Sequence, residues 1–209
     1  MVKKFLHIGC GQNKKDSTTD FFNTSDWDEV RLDIDPSVNP DIVSSIQDMS
    51  VIDSDTFDAV YSSHNIEHLF PHEVELAFKE FNRVLVDGGY LLITCPDLKS
   101  VSKYVSEDKL LEPLYESPAG PITPLDIMFG HRGSIQNGNT YMAHKCGFTM
   151  NVLVGLLNNC GFKSTVGAER ANYFDIWAIG YKNVDVLPAD STSLLKDHLG
   201  IKEENIEYN

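Results

Sequence analysis

Four short apolar runs dominate the first half of the chain: FLHIG at 5–9, VRLDI at 30–34, FDAVYSS at 57–63 and YLLITCP at 90–96. Each is long enough for a strand and too short for a helix, and the polar or helical stretches between them leave room for crossovers. Near-continuous apolar runs of this kind are parallel strands covered on both faces. The expected fold is therefore α/β, a Rossmann-like open and mainly parallel sheet. The clearest helix is HEVELAFKEFNRVL, 72–85, which follows Pro71. There Val74, Ala77, Phe78, Phe81, Val84 and Leu85 recur at three- and four-residue steps, and Gly88 and Gly89 stand where a C-terminal cap belongs.

After the fifth strand, YLLITC, the regular texture stops. Residues 97–146 contain ESPAGPITP and the polar GHRGSIQNGN, so they read as a substrate-facing insertion with one short helix near 101–111. Regularity returns in TMNVLVGLLNNCGF, with Thr149 as N-cap, an apolar face of Leu153, Leu156 and Leu157, and Gly161 as the stop. KSTVGAE and YFDIWAIGYK then form a C-terminal antiparallel hairpin turning near Arg170 to Asn172. A chain of 209 residues with 42% hydrophobic content suits one domain, 1–182, followed by an acidic tail, 183–209, that is expected to add little.

FLHIGCGQN ends its strand in Gly9-Cys10-Gly11, a turn whose bare backbone amides a ligand can approach. Cys10 reads as small filler within that loop rather than as a nucleophile. The next strand ends at Asp33, about 20 residues on, where an open α/β sheet places the carboxylate that binds a ribose diol. Ile34 follows it and could lie on an adenine face, while Asp48, after a third short strand DIVSSI, suits an adenine amino group. A dinucleotide fingerprint wants a glycine at position 14, and Lys14 stands there, so the aim at a pyrophosphate is missing. S-adenosylmethionine has no phosphate and needs only the shorter loop.

FLHIGCGQN, RLDIDP, SIQDM, FDAVYSSHNIEHL and RVLVDGGYLLITCPD resemble the successive motifs of class I S-adenosylmethionine-dependent methyltransferases, particularly the small-molecule group called type 11. The resemblance spans 4–98 strongly and the final helix and hairpin loosely. It implies the class I methyltransferase fold and S-adenosylmethionine as cofactor. The binding set it implies is Gly9 and Gly11 at the methionine part, Asp33 at the ribose, Asp48 and Met49 at the adenine, and Ser63 in the loop after the fourth strand; Cys10, between the two glycines, and Ile34 complete the candidate cofactor-binding residues. One departure stands out: QNKKDSTTDFFNTSDWDE, 12–29, is more polar and less periodic than the family's helix there. The cofactor pocket would then be open on that side, or closed by Phe21, Phe22 or Trp27.

SSHNIEHLFP contains His64, Glu67 and His68 as H-x-x-E-H, the arrangement of inverted zinc-protease motifs. Such a motif needs a helix long enough for both histidines and a third distant ligand, and positions 64–70 give at most two turns. The sequence nominates no third ligand, so no metal is expected. In the methyltransferase reading His64 lies where methyl and acceptor meet, and is the leading candidate to orient an acceptor hydroxyl or amine or to take its proton. His131 and His144, in the insertion, could reach over the site, and Arg132 could hold a substrate carboxylate or phosphate. Two rivals remain: a zinc hydrolase built on His64, Glu67 and His68, and a cofactor-binding domain without transfer activity.

Seventeen basic residues against 31 acidic ones give a net charge of −14, a field that disfavours nucleic acid and anionic membranes as partners and leaves a small-molecule acceptor. The loop SSHN also differs from the Asp- or Asn-Pro-Pro-aromatic motif of amino-methylating DNA enzymes. Cys10, Cys95, Cys146 and Cys160 form no C-x-x-C pair and read as thiols of a reducing, cytoplasmic compartment, and the N-terminal apolar run is too short for a signal peptide or membrane span.

Overall fold

The computed structural model describes residues 2–170 and 172–200, and the backbone of 207–208. Its elements in chain order are β1 (Lys3–Ile8), β2 (Trp27–Asp33), β3 (Ile42–Val43), β4 (Phe57–Ser63), α1 (Pro71–Val84), β5 (Leu85–Pro96), α2 (Leu98–Ser106), β6 (Tyr115–Ser117), β7 (Gly120–Ile122), α3 (Pro124–Phe129), α4 (Arg132–Gln136), α5 (Met150–Asn159), β8 (Phe162–Arg170), β9 (Asp175–Lys182), α6 (Ser191–Leu199) and β10 (Glu207–Tyr208). Eight strands form one sheet in the order β10-β8-β9-β5-β4-β1-β2-β3. β1 pairs in parallel with β2 and β4, β2 with β3, and β4 with β5, while β9 runs antiparallel between β5 and β8. This is the open α/β sheet the sequence implies, with the expected hairpin at one end.

Both faces of the sheet are covered, and the alternation of side chains sorts each strand between two cores. Leu6 and Ile8 of β1, Leu91 and Ile93 of β5, and Ile176 and Ala178 of β9 face a core that α1 fills with Val74, Ala77, Phe78, Phe81 and Val84. Met150, Leu153 and Leu157 of α5 complete that layer. Thr149 holds the N-cap position of α5 but makes no side-chain capping bond.

Two local expectations are corrected. Gly88 and Gly89 do not cap α1. The helix ends at Val84, and the glycines form an irregular stretch inside β5, where the partners of Phe57 and Ala59 jump from Leu85 to Tyr90. A Cβ on Gly89 would stand 2.9 Å from the carbonyl oxygen of Val86 and 3.0 Å from that of Asp58, so close backbone approach explains the residue. The helix expected at 101–111 spans Leu98–Ser106 instead, because the Asp97 carboxylate accepts from the amides of Lys99 and Ser100 and starts it earlier.

The larger surprise is the opposite face. No α-helix joins β1 to β2. Phe21, Phe22 and Trp27 turn onto the sheet rather than toward the cofactor side, and α6 joins them with Leu194, Leu195 and Leu199. Phe22 stacks on Phe5 at 4.3 Å between centroids and meets Trp27 edge-on at 5.0 Å. The segment expected to add little therefore supplies a helix that closes the second core. Its polar look misleads because only one side of a short helix is buried.

His198 of α6 is enclosed there, with Nδ1 2.9 Å from Thr19 Oγ1 and Nε2 3.1 Å from Tyr90 Oη. Burial lowers its pKa from 6.5 to about 3, so the folded protein holds it neutral. A histidine with a depressed folded pKa costs nothing above pH 6.5. Below that, the unfolded chain gains a proton the folded chain refuses, and stability drains away down to the folded value. At pH 4.5 the loss is about 2–3 kcal/mol. Urea unfolding of wild type and His198→Gln at pH 7.5 and 4.5 should therefore show wild type losing that much more than the variant. Parallel losses would remove the assignment.

The insertion, 97–146, is made of α2, the β6–β7 hairpin, α3 and α4 around a small cluster of Val101, Ile127 and Phe174. It is tied to the loop after β4 where the backbone N–H of Lys145 donates to the carbonyl of Glu67 at 2.8 Å. No helix among the described residues is long and apolar enough to cross a membrane.

Candidate active site

The parallel strands β1, β2 and β4 end on one edge of the sheet, and a cavity of about 590 Å³ opens there, within the range of small-molecule sites, roughly 300–1,000 Å³. Gly9 and Gly11 follow β1 at φ of +57° and +52°, a region that suits glycine. A Cβ on Gly9 would fall 1.9 Å from Asn65 Oδ1, whereas one on Gly11 would meet nothing within 4 Å. Gly9 is therefore dictated by its neighbour, and Gly11 leaves free space at the cavity edge.

Asn65 makes this packing deliberate. Its Nδ2 donates to the carbonyl oxygens of Ile8 at 2.9 Å and Ser63 at 3.0 Å, binding the glycine turn to the loop after β4. On the other side Arg31 donates to the carbonyl oxygens of Gly11, Asn13 and Asn39 at 2.6–2.9 Å, fixing the two loops that flank β2. Asp33 ends β2 at the cavity, one carboxylate oxygen accepting from Gly11 N–H at 2.7 Å and the other from Asp35 N–H at 2.9 Å. Charged acceptors of backbone N–H make such turns rigid. Ile34 beside it lines the cavity with its side chain half exposed.

Of the residues nominated for the cofactor, Gly9, Gly11, Asp33, Ile34 and Ser63 line one cavity. Cys10, Asp48 and Met49 do not. Cys10 is buried, consistent with filler, and its thiol pKa is raised by that burial. Met49 is fully enclosed in the core beneath α1. Asp48 is exposed and its carboxylate accepts from Ser50 N–H at 3.1 Å. Ile46 and Gln47 reach the cavity in their place. The strand expected over DIVSSI is only Ile42–Val43, so the turn after it comes sooner than the sequence suggests.

The other wall brings together side chains that lie far apart in the chain. His64 adopts φ +53°, uncommon away from glycine, its N–H donating to Thr94 O at 2.9 Å, and this turns its half-exposed ring into the cavity. His64 Nδ1 lies 3.3 Å from Oε1 of Glu67, whose side chain is 1% exposed. Burial disfavours the charged form of His64, but its contact with Glu67 outweighs that and raises the pKa. Burial would likewise push the Glu67 carboxyl up, and His64, then His68, outweigh it and hold it below the usual range. His68 and His144 complete the group, their rings 4.9 Å apart, with Glu67, His68 and His144 offering ligand atoms within 4.8 Å of one another. This group takes His144 from the insertion and leaves out His64, so it differs from the H-x-x-E-H set read in the sequence.

His131 also lines the cavity, but its Nδ1 accepts from Ser134 N–H at 3.2 Å and so starts α4. Arg132 is committed elsewhere: its Nε and Nη2 donate to the two carboxylate oxygens of Asp126 at 2.7 and 3.1 Å. That pairing, with the capping bonds of Thr123, holds the Asp126 carboxyl far below its ordinary pKa against the pull of burial. Tyr115, Tyr141, Tyr173 and Phe174, none of them singled out by the sequence, complete the wall with aromatic surface. All four cysteines are free. Burial pushes the Cys146 thiol up to about 11, so it stays protonated.

Residues 6–93 match a family model described as a methyltransferase domain, the type 11 group, over somewhat less than half of the chain. No curated protein is significantly similar in sequence. Among solved structures the fold is shared with a protein of Pyrococcus horikoshii, 15% identical, with a TM-score of 0.59 and coverage of 87% of this chain and 82% of that one. An S-adenosylmethionine-dependent methyltransferase of Methanosarcina mazei is 18% identical, with a TM-score of 0.56 and coverage of 89% and 93%. The 1,6-didemethyltoxoflavin-N1-methyltransferase of Burkholderia thailandensis is 11% identical, with a TM-score of 0.55 and coverage of 87% and 72%. Residues 6–93 thus match a methyltransferase domain of the type 11 group, and the chain shares the class I fold of S-adenosylmethionine-dependent methyltransferases.

Proposed function

We propose that the protein methylates a small-molecule acceptor enclosed between the sheet edge and the insertion. The carrying observation is that Gly9, Gly11, Asp33 and Ile34 border the same cavity as His64 and the aromatic residues of the far wall. In this reading Asp33 takes the ribose diol, Ile34 and Ile46 sandwich the adenine, and Gln47 meets its polar edge. Ser63 and the turn at Gly9 and Gly11 flank the methionine part. Bound there, S-adenosylmethionine supplies a methyl group already activated by a positively charged sulfur.

The chain's own contribution is alignment and exclusion of water, which matter most for a displacement whose leaving group needs no further help. His64, held from behind by Glu67, orients the acceptor hydroxyl or amine, and Tyr115, Tyr141, Tyr173 and Phe174 enclose the rest of the molecule. The net charge of −14 and the enclosed wall support a small molecule over nucleic acid. The Burkholderia protein of the same fold, which holds 1,6-didemethyltoxoflavin together with S-adenosylhomocysteine, supports the same choice. Free, scattered cysteines support a reducing, cytoplasmic location.

Calorimetric titration with S-adenosylmethionine and S-adenosylhomocysteine tests the first half, with saturable one-to-one binding expected. Incubation of fractionated metabolites with enzyme and donor, read as a mass gain of one methyl group, tests the second. Failure to bind either nucleoside at millimolar concentration would end the proposal.

A further inference from the structure

A carboxylate as deeply buried as Glu67 is normally surrounded by donors, since leaving it bare costs far more than burying it paired. Neither oxygen of Glu67 has a hydrogen-bond partner, although the side chain is 1% exposed. What faces it is imidazole. His64 Nδ1 is 3.3 Å away, and the ligand atoms of His68 and His144 lie with it inside a 4.8 Å group.

The two rings are also oriented from behind. His68 Nδ1 lies 3.2 Å from the carbonyl oxygen of Ala143, and His144 Nδ1 lies 2.7 Å from that of Ile127. A ring whose Nδ1–H donates to a backbone carbonyl keeps its Nε2 lone pair free, the outer support that metal-binding histidines carry. Loop placement is equally fixed, because Lys145 N–H and Cys146 N–H donate to Glu67 O at 2.8 and 3.3 Å and press the segment bearing His144 against the turn bearing Glu67.

We propose that Glu67, His68 and His144 bind one divalent first-row transition-metal ion, and that its open positions hold an oxygen atom of the acceptor. One carboxylate and two imidazoles suit zinc, iron(II), cobalt(II) or manganese(II), at about 2.0–2.2 Å from the donors for zinc. Small rotations of the two rings close the present 4.8 Å spread to the roughly 4 Å that such bonds allow. His64 stands beside the ion as a further donor or as a contact to the acceptor. All four side chains line the cavity, so the ion would face the space where the acceptor sits.

The role of the ion rests on the methyl-transfer reading. An acceptor hydroxyl bound to the metal releases its proton to water. The oxygen's electron pair then forms the bond to the methyl carbon while the carbon–sulfur bond breaks, its electrons passing to sulfur. The expected acceptor class is therefore a phenol, enol or similar oxygen acid whose ionised form a metal stabilises.

Full-length protein stripped with a chelator, then freed of it, is titrated with cobalt(II) chloride and zinc chloride. One equivalent should bind at micromolar or tighter affinity, cobalt should show the visible absorption of a site with nitrogen donors, and the melting temperature should rise on loading. Glu67→Gln and His144→Ala should each weaken binding at least 100-fold, and His72→Ala, on the exposed start of α1, should leave it unchanged. The same variants are titrated with S-adenosylhomocysteine without metal, where wild-type affinity shows an intact fold and nucleoside site. No saturable binding by wild type, or binding that Glu67→Gln and His144→Ala leave untouched, overturns the metal site. Loss of the nucleoside affinity of the wild type would instead strike the methyltransferase reading.

Discussion

Replacing Asp33 with alanine is expected to raise the dissociation constant for S-adenosylhomocysteine at least about 100-fold, equivalent to about 2.7 kcal/mol. Two effects add. In the proposed placement the ribose diol loses a charged acceptor, and hydrogen bonds to charged groups are worth about 1.5–3 kcal/mol each. The amides of Gly11 and Asp35 also lose the carboxylate that fixes them, so the glycine turn no longer arrives preorganised. Asp33→Asn keeps one oxygen acceptor and should cost about tenfold, near 1.4 kcal/mol. Calorimetry on both variants, with circular dichroism to confirm the fold, makes the comparison. Equal affinity for wild type and Asp33→Ala would move the ribose away from this strand end.

Ending the chain at Ala189 should be the most damaging change to stability. It removes α6 and with it the buried side chains of Leu195, Leu199 and His198. Burial of each leucine is worth about 1.5–3 kcal/mol. The rings of Phe22, Tyr90 and Tyr181, which α6 helps cover, would gain exposure as well. A loss of about 5 kcal/mol or more rivals the whole stability of many domains, about 5–15 kcal/mol. At about 2–4 °C per kcal/mol for a chain of this size, the melting temperature should fall by at least about 10 °C. A truncated protein melting within about 2 °C of full length would show that the aromatic face needs no such cover.

Much of the sheet is legible in the sequence because β1, β4, β5 and β9 are buried on both faces and so cannot disguise themselves with polar alternation. The glycine turn and Asp33 are legible for a related reason: each sits at the end of such a strand, and strand ends define the ligand edge of an open sheet. The adenine side is read less well. β3 has only two residues, so the turn after it comes early and brings Ile46 and Gln47 to the cavity, two positions before the Asp48 and Met49 of the reading. His144 as companion of Glu67 is not legible at all, since the two are brought together by the insertion folding back on the loop after β4. Arg31 and Asn65, which brace the glycine turn, look from sequence like ordinary polar residues near a strand end. The role of α6 is hidden by its acidic, polar surroundings, although the aromatic surplus of FF and W in 21–27 is a signal that something must cover it.

A sheet whose second layer is roofed by α6 cannot complete that layer until the residues of α6 have been made. β1, β2, β4 and β5 leave the ribosome early with Phe5, Tyr61 and Tyr90 facing outward, and their roof arrives only when residues near 199 emerge. During that interval the nascent chain displays a broad aromatic plate, the type of surface that recruits holdase chaperones or sticks to its neighbours. Expression yield should consequently depend on α6 more steeply than on any segment of the insertion.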